Sequence, residues 1–116
     1  MDQKLSLSTH ILDVSLGKPA EGVTIKLFKS VHNTWIESAN SATTDSNGRF
    51  KDFKNVDNTV TGIYKIRFET KDYFDRLGIN DTLYPYIEII FEIKSSDHYH
   101  IPLLLSAFGY STYRGS

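Results

Sequence analysis

The chain has 116 residues, with 13 basic and 14 acidic side chains and no cysteine. A domain of this length buries a core without disulfides or a structural metal, so we predict a single domain over residues 1–116. The net charge of -1 argues against the positive surface that a nucleic-acid partner needs, and the lack of cysteine excludes disulfides, thiolate zinc sites and a cysteine nucleophile.

The hydropathy of the chain bears on its location. Residues 1–9 (MDQKLSLST) contain no apolar signal-peptide core. No stretch approaches the roughly 18 apolar residues that a membrane-spanning helix needs. We therefore expect a soluble, cytoplasmic protein with no membrane partner.

Strand signals dominate the first half of the chain, where short alternating runs are separated by glycine, asparagine and aspartate. In chain order, we predict strands over residues 5–14, 22–29, 34–43 and 49–53, with turns at 15–19 and 45–48. The second turn (DSNG) contains residues that accept a positive φ. It places Arg49 at the lip of a loop, where binding residues are often found.

The second half continues in the same way around one helix. Alternation predicts a strand over residues 63–69, with Tyr64, Ile66 and Phe68 inward. A short helix follows to residue 77, and we expect Thr70 to cap it and Gly78 to close it. Further strands are predicted at residues 87–94, 99–105 and 109–113. Short strands with a single helix are typical of an antiparallel β-sandwich.

The outward-facing positions carry unusual side chains for a solvent face. If Ile101, Leu103 and Leu105 point inward, the period of two directs four neighbours outward: His98, His100, Pro102 and Leu104. The first strand likewise directs out Ser8, His10, Leu12 and Val14. Burial of apolar surface stabilises a protein by about 25 cal/mol per Å². We therefore expect a homo-oligomer to cover this face, with His10 and His100 at the interface between subunits. We interpret His32 and His98 as solvated or interface residues.

Four segments resemble the signature segments of the 5-hydroxyisourate hydrolases. They are residues 7–13 (LSTHILD), 47–49 (NGR), 98–106 (HYHIPLLLS) and 108–116 (FGYSTYRGS). The resemblance covers essentially the whole chain. It implies a mainly β, transthyretin-like antiparallel sandwich of two four-stranded sheets with one short helix. It also implies a homotetramer with active sites at the dimer–dimer interface.

The activity implied by this resemblance belongs to urate breakdown. The family opens the cyclic amide of 5-hydroxyisourate by hydrolysis, giving 2-oxo-4-hydroxy-4-carboxy-5-ureidoimidazoline, and uses no metal or organic cofactor. Matched residue by residue, the family's catalytic groups are His10, Arg49 and His100. The predicted substrate-binding residues are His10, Arg49, Ser111, Tyr113, Arg114, Gly115 and Ser116.

The chemistry suits these residue types. Water is a poor nucleophile at neutral pH, and a histidine with an ordinary pKa of about 6.5 is mostly neutral there and can act as a base. His10 and His100 both fit this role, and the sequence does not assign it. Arg49 offers charge and paired N–H donors to the developing oxyanion. We expect the tail to function only if no residue follows Ser116.

The main alternative function is a transthyretin-type carrier of small ligands, which uses the same sandwich. The family comparison implies that transthyretin lacks both histidines and the Tyr-Arg-Gly-Ser tail, and has an acidic residue where Arg49 stands. A purely structural sandwich appended to a secreted enzyme is a further alternative, but it needs no histidine pair. His10, His100 and Arg49 together favour the hydrolase.

Overall fold

The computed structural model describes residues 3–40 and 42–116. In chain order its elements are β1 (Leu7–Asp13), β2 (Lys18–Pro19), β3 (Thr24–Val31), β4 (Thr34–Glu37), β5 (Ala42–Thr43), β6 (Arg49–Phe50), β7 (Gly62–Phe68), α1 (Thr70–Arg76), β8 (Ile87–Ile93), β9 (Tyr99–Leu105) and β10 (Tyr110–Thr112). Within the described residues, no helix is long and apolar enough to cross a membrane.

The strands form two sheets. The first sheet has the order β10-β9-β1-β2, with β6 also paired to β1, and the second has the order β4-β3-β7-β8, with β5 also paired to β3. Each sheet therefore has a path of four strands and one short strand beside it. The predicted mainly β sandwich of two sheets with one short helix is confirmed.

One pair departs from the predicted antiparallel pairing. β1 and β9 run parallel, with Leu7 opposite Tyr99 and Asp13 opposite Leu105. The chain leaves β1, forms the second sheet and returns before it reaches β9, so a hairpin reversal between these two strands is not required. The parallel pair is central to the first sheet, and its outer face carries the predicted site.

The core lies between the two sheets, as the alternation predicts. Inward side chains from both sheets are almost fully buried: Leu7, Ile11, Tyr64, Ile66, Phe68, Ile101, Leu103 and Leu105. Burying a side chain of this size stabilises the fold by about 1.5–3 kcal/mol. On the outer face of β1 and β9, Ser8, His10, Leu12, His100 and Leu104 are only half-buried.

The predicted helix cap at Thr70 is wrong. Glu69 occupies the N-cap position, and its side chain makes no capping hydrogen bond. The side chain of Thr70 is buried at 1% exposure, and its hydroxyl makes no hydrogen bond to the described residues, so it does not cap the helix. Closure at the other end is as predicted: Gly78 has a φ of 75°, and its N–H bonds to the carbonyl of Asp75 at 3.0 Å.

The predicted strands over residues 34–43 and 49–53 are too long. Ser38 turns inward after β4, and its hydroxyl donates to the carbonyl of Lys54 at 2.8 Å. Pairing resumes in β5, and residue 41 between them lies outside the described residues. β6 ends at Phe50, which packs edge-to-face against buried Phe53 with the ring centres 4.9 Å apart. Beyond β6 an isolated bridge between Leu7 and Asp52 remains, so the regular pairing ends while the aromatic contact continues the packing.

Candidate active site

An open cleft of about 650 Å³ lies over the outer face of the first sheet. Its wall is formed by Ser8, Thr9, Thr43, Asp45, Arg49, Phe50, Lys51, Asp52, His98, His100 and Ser116. These residues come from β1, β5, β6, β9, the adjoining turns and the carboxyl-terminal tail. Four distant segments of the sequence therefore meet at one concave surface.

Strand register brings the predicted catalytic groups to this surface. His10 pairs directly with Arg49 across β1 and β6, and Ser8 pairs with His100 across β1 and β9. Directly opposed residues project from the same side of a sheet. His10, Arg49 and His100 therefore share the outer face, although their positions in the sequence are far apart.

The turn before β6 fixes the backbone of Arg49. The carboxylate of Asp45 accepts hydrogen bonds from the N–H groups of Asn47 at 2.9 Å and Arg49 at 3.0 Å. The Asp45 N–H in turn donates to the Arg49 carbonyl at 3.0 Å. These hydrogen bonds, led by that from Arg49, and the nearby positive charges hold the pKa of Asp45 below its ordinary value. Asp45 thus positions the arginine.

Charge and burial act together on His100. Its half-buried ring lies near His10, Arg49 and His98. Burial, followed by the positive charges of these three neighbours, lowers the pKa of His100 from its ordinary value. The imidazole is therefore neutral and able to accept a proton at neutral pH.

The hydrogen bonds of His100 involve residues that were not predicted to act together. The Ser8 hydroxyl lies 2.7 Å from His100 Nδ1 and 2.8 Å from His98 Nε2. The Ser6 hydroxyl lies 2.6 Å from His98 Nδ1. The sequence holds a signal for this cluster, because His98 and His100 are two residues apart and so share a strand face. From the sequence we placed both histidines on the outer face, but we interpreted His98 as a solvated or interface residue.

The tail contacts the cleft through its last two residues. The Gly115 N–H donates to the His100 carbonyl at 2.8 Å, and Ser116 lines the cleft. Arg114 is stacked on the ring of Tyr99, with its guanidinium carbon 4.0 Å from the ring centre. With Tyr113 it borders a separate hollow beside β8. The tail therefore divides between two surfaces.

The predicted site residues are accordingly not all in one place. Arg49, His100 and Ser116 line the cleft, while His10 and Gly115 pack beside it through their pairings with Arg49 and His100. Ser111 on β10 is exposed and is paired with Leu104 on β9, further along the same outer face. Asp45 and His98, which were not predicted to act in the site, are among the residues of its wall.

The fold and the cleft together define a transthyretin-like sandwich with a polar, histidine- and arginine-lined site on the outer face of one sheet. The family model for the HIUase/Transthyretin family matches residues 7–115. The chain belongs to the HIUase/Transthyretin family.

Individual relatives give the same result in more detail. The probable 5-hydroxyisourate hydrolase of Schizosaccharomyces pombe is 48% identical, covering 96% of this chain and 91% of its own. The structure of Klebsiella pneumoniae 5-hydroxyisourate hydrolase is 37% identical, with a TM-score of 0.78 over 96% of this chain and 99% of its own. Sea bream transthyretin in complex with thyroxine is 28% identical, with a TM-score of 0.85 over 94% and 93%.

Backbone likeness and sequence likeness rank these two solved structures in opposite orders. The thyroxine complex has the higher TM-score, whereas the hydrolase has the higher identity. The shared sandwich therefore does not distinguish a carrier from an enzyme, and function has to be argued from the side chains of the site.

Proposed function

We propose that this chain is a 5-hydroxyisourate hydrolase, which opens the cyclic amide of its substrate to give 2-oxo-4-hydroxy-4-carboxy-5-ureidoimidazoline. The observation that carries the proposal is the register of the first sheet. It sets His10 opposite Arg49 and Ser8 opposite His100, and the tail bonds to the His100 backbone. The choice of substrate is supported by relatives that are named 5-hydroxyisourate hydrolases.

In the proposed mechanism His100 is the general base. Its Nδ1 is engaged by Ser8, so Nε2 is the ring nitrogen left for water or substrate. The lowered pKa keeps the imidazole neutral at neutral pH, and a neutral imidazole accepts the proton of the attacking water. The new C–O bond forms as this proton moves to Nε2.

Arg49 stabilises the negative charge that water attack builds on the carbonyl oxygen. A guanidinium held by a fixed backbone needs little reorganisation when that charge appears. His10 is paired directly with Arg49 from β1, and in the proposed mechanism it hydrogen-bonds the substrate ring. When the C–N bond breaks, the leaving nitrogen takes its proton from His100 or His10. The reaction uses side chains and water, and the absence of a metal or cofactor stays a prediction.

We further propose that the working form is a homotetramer with sites at the dimer–dimer interface. The cleft is open on one side in a single chain, and half-buried Leu12 and Leu104 and exposed Val14 lie on the same face of the sheet. A second copy over this face would bury the apolar groups and exclude water from the cleft.

Two further expectations stay predictions. One is a cytoplasmic location, and the other is contact with the substrate by Ser111, Tyr113, Arg114, Gly115 and Ser116.

The proposal is tested by following freshly made 5-hydroxyisourate by absorbance, with the protein at a small fraction of the substrate concentration. We expect many turnovers per chain at a rate far above spontaneous decay. Consumption limited to one equivalent, or decay at the spontaneous rate, would contradict it. Thyroxine binding in a parallel titration would then support the carrier alternative.

A further inference from the structure

We propose that Ser6, His98, Ser8 and His100 form a hydrogen-bonded relay that moves the catalytic proton between His100 and His98 at the cleft rim. The proposal rests on the proposed hydrolase function and adds two positioning residues, Ser8 and His98. Successive contacts are 2.6 Å from Ser6 Oγ to His98 Nδ1, 2.8 Å from His98 Nε2 to Ser8 Oγ, and 2.7 Å from Ser8 Oγ to His100 Nδ1. All three are within hydrogen-bond range.

The hydroxyl count makes the chain directional. Ser8 has one O–H proton and contacts two ring nitrogens, so it donates to one and accepts from the other. If it accepts from His100 Nδ1–H, it donates to His98 Nε2, and His98 Nδ1–H then donates to Ser6. If it donates to His100 Nδ1, every bond in the chain reverses. The two orders correspond to the two neutral tautomers of His100.

Reversal of the two bonds at Ser8 carries one proton along the chain. In the first order Nε2 of His100 is bare and takes the proton of the attacking water. The Nδ1 proton then moves to Ser8 Oγ while the Ser8 proton moves to His98 Nε2, which leaves His100 neutral and His98 cationic. The same path runs in reverse when His100 gives its Nε2 proton to the leaving nitrogen. Each group ends with its starting proton count.

The charge of Arg49 and the exposure of His98 favour movement of the proton away from His100. The guanidinium of Arg49 on β6 lies near the His100 ring and disfavours a second positive charge there, and His10 on β1 is a further neighbour of that ring. Ser116 of the tail, together with Asp45 and Asp52, lines the same cleft. His98 is exposed, so water solvates its imidazolium form. The relay therefore ends at an imidazole that water can reach.

The kinetic test compares Ser8→Ala with Ser8→Thr, which retains the hydroxyl. We expect Ser8→Ala to lower kcat by about tenfold or more, because it interrupts assisted proton transfer, with KM within about twofold of wild type. Ser8→Thr restores kcat. An unchanged kcat in Ser8→Ala, or an effect confined to KM, would overturn the relay.

The other end of the relay is tested at His98. We expect His98→Gln to lower kcat and imidazole buffer to restore it. His32→Gln, at an exposed turn, should leave kcat unchanged.

A second readout is independent of hydrolysis. In protein labelled with ¹⁵N on histidine, the ring nitrogen shifts of His100 report its tautomer, and pH titration reports whether His98 and His100 are coupled. We expect Ser8→Ala to change the tautomer balance of His100 and to uncouple the two titrations. Identical His100 signals in both proteins would overturn the relay. A protein that shows the coupled titrations but no hydrolysis would contradict the proposed hydrolase function and leave the hydrogen-bonded coupling in place.

Discussion

Gly115 brings the tail into contact with a proposed catalytic group, His100. A Cβ atom at this position would lie 2.5 Å from His100 Cδ2 and 3.3 Å from Pro102 Cγ. The ring cannot give way freely, because its Nδ1 is held by Ser8. The glycine of the tail is thus explained by contact with the histidine ring: only a residue without a side chain lets the Gly115 N–H reach the His100 carbonyl.

We therefore expect Gly115→Ala to displace either the tail or the His100 ring and to lower kcat/KM by about tenfold or more, since small displacements of positioned groups are costly. Gly109→Ala is the matched control, because its Cβ would meet only Ser106 Oγ at 3.8 Å. Thermal unfolding of both variants should resemble wild type. Equal activity of the two variants would refute the contact argument.

At the scale of elements, the turn between β5 and β6 determines where Arg49 points. Gly48 has a φ of 73°, and a Cβ there would clash with the carbonyl oxygen of Ile11 on β1. The Gly48 carbonyl accepts the Ile11 N–H at 2.8 Å, which docks the turn onto the strand that carries His10. Asp45 then holds the Arg49 backbone from inside the turn.

This arrangement predicts that Asp45→Ala lowers kcat/KM although Asp45 is not proposed to touch substrate. The Arg49 N–H loses its acceptor, so the guanidinium is no longer held opposite His10. Asp45→Asn retains an acceptor oxygen and should keep most of the activity. Steady-state kinetics on both variants check this prediction. An inactive Asp45→Asn together with an Asp45→Ala of normal activity would contradict the positioning role assigned to Asp45.

The elements also show what the sequence can predict. Period-two alternation correctly assigned the inward faces of β1, β7 and β9, because one face of each strand packs on the core. The cap at Thr70 failed because burial of its side chain overrode the local preference for capping. The contact of Ser8 with both His98 and His100 was not predicted, for a different reason. It depends on the parallel register between β1 and β9, which the pattern of either strand alone does not specify.

The site residues divide in the same way. His10, Arg49 and His100 stand out as members of the signature segments, and the register places them on one face. Tyr113 and Arg114 belong to the same signature but border the second hollow in a single chain. A sequence pattern records which residues belong together in the family, whereas the surface that each residue faces depends on packing.

At the scale of the whole molecule, the outer face of the first sheet combines the cleft with apolar side chains. Leu104→Glu should convert the proposed tetramer to smaller species and reduce activity, because it places a charge among groups that a second copy would bury. Ile36→Glu, on the other sheet and 42% exposed in wild type, is the matched control. Light scattering measures the mass. A wild-type monomer with full activity would contradict the interface.

The most direct measurement is kcat/KM for freshly made 5-hydroxyisourate in His10→Asn, His100→Asn and Arg49→Ala. The control is His32→Asn, an exposed turn position with a φ of 51° that asparagine tolerates. We predict losses of about 100-fold or more in the three site variants, with wild-type circular dichroism and a normal rate for His32→Asn. Near wild-type rates in all three site variants would contradict the assignment of hydrolysis to this face.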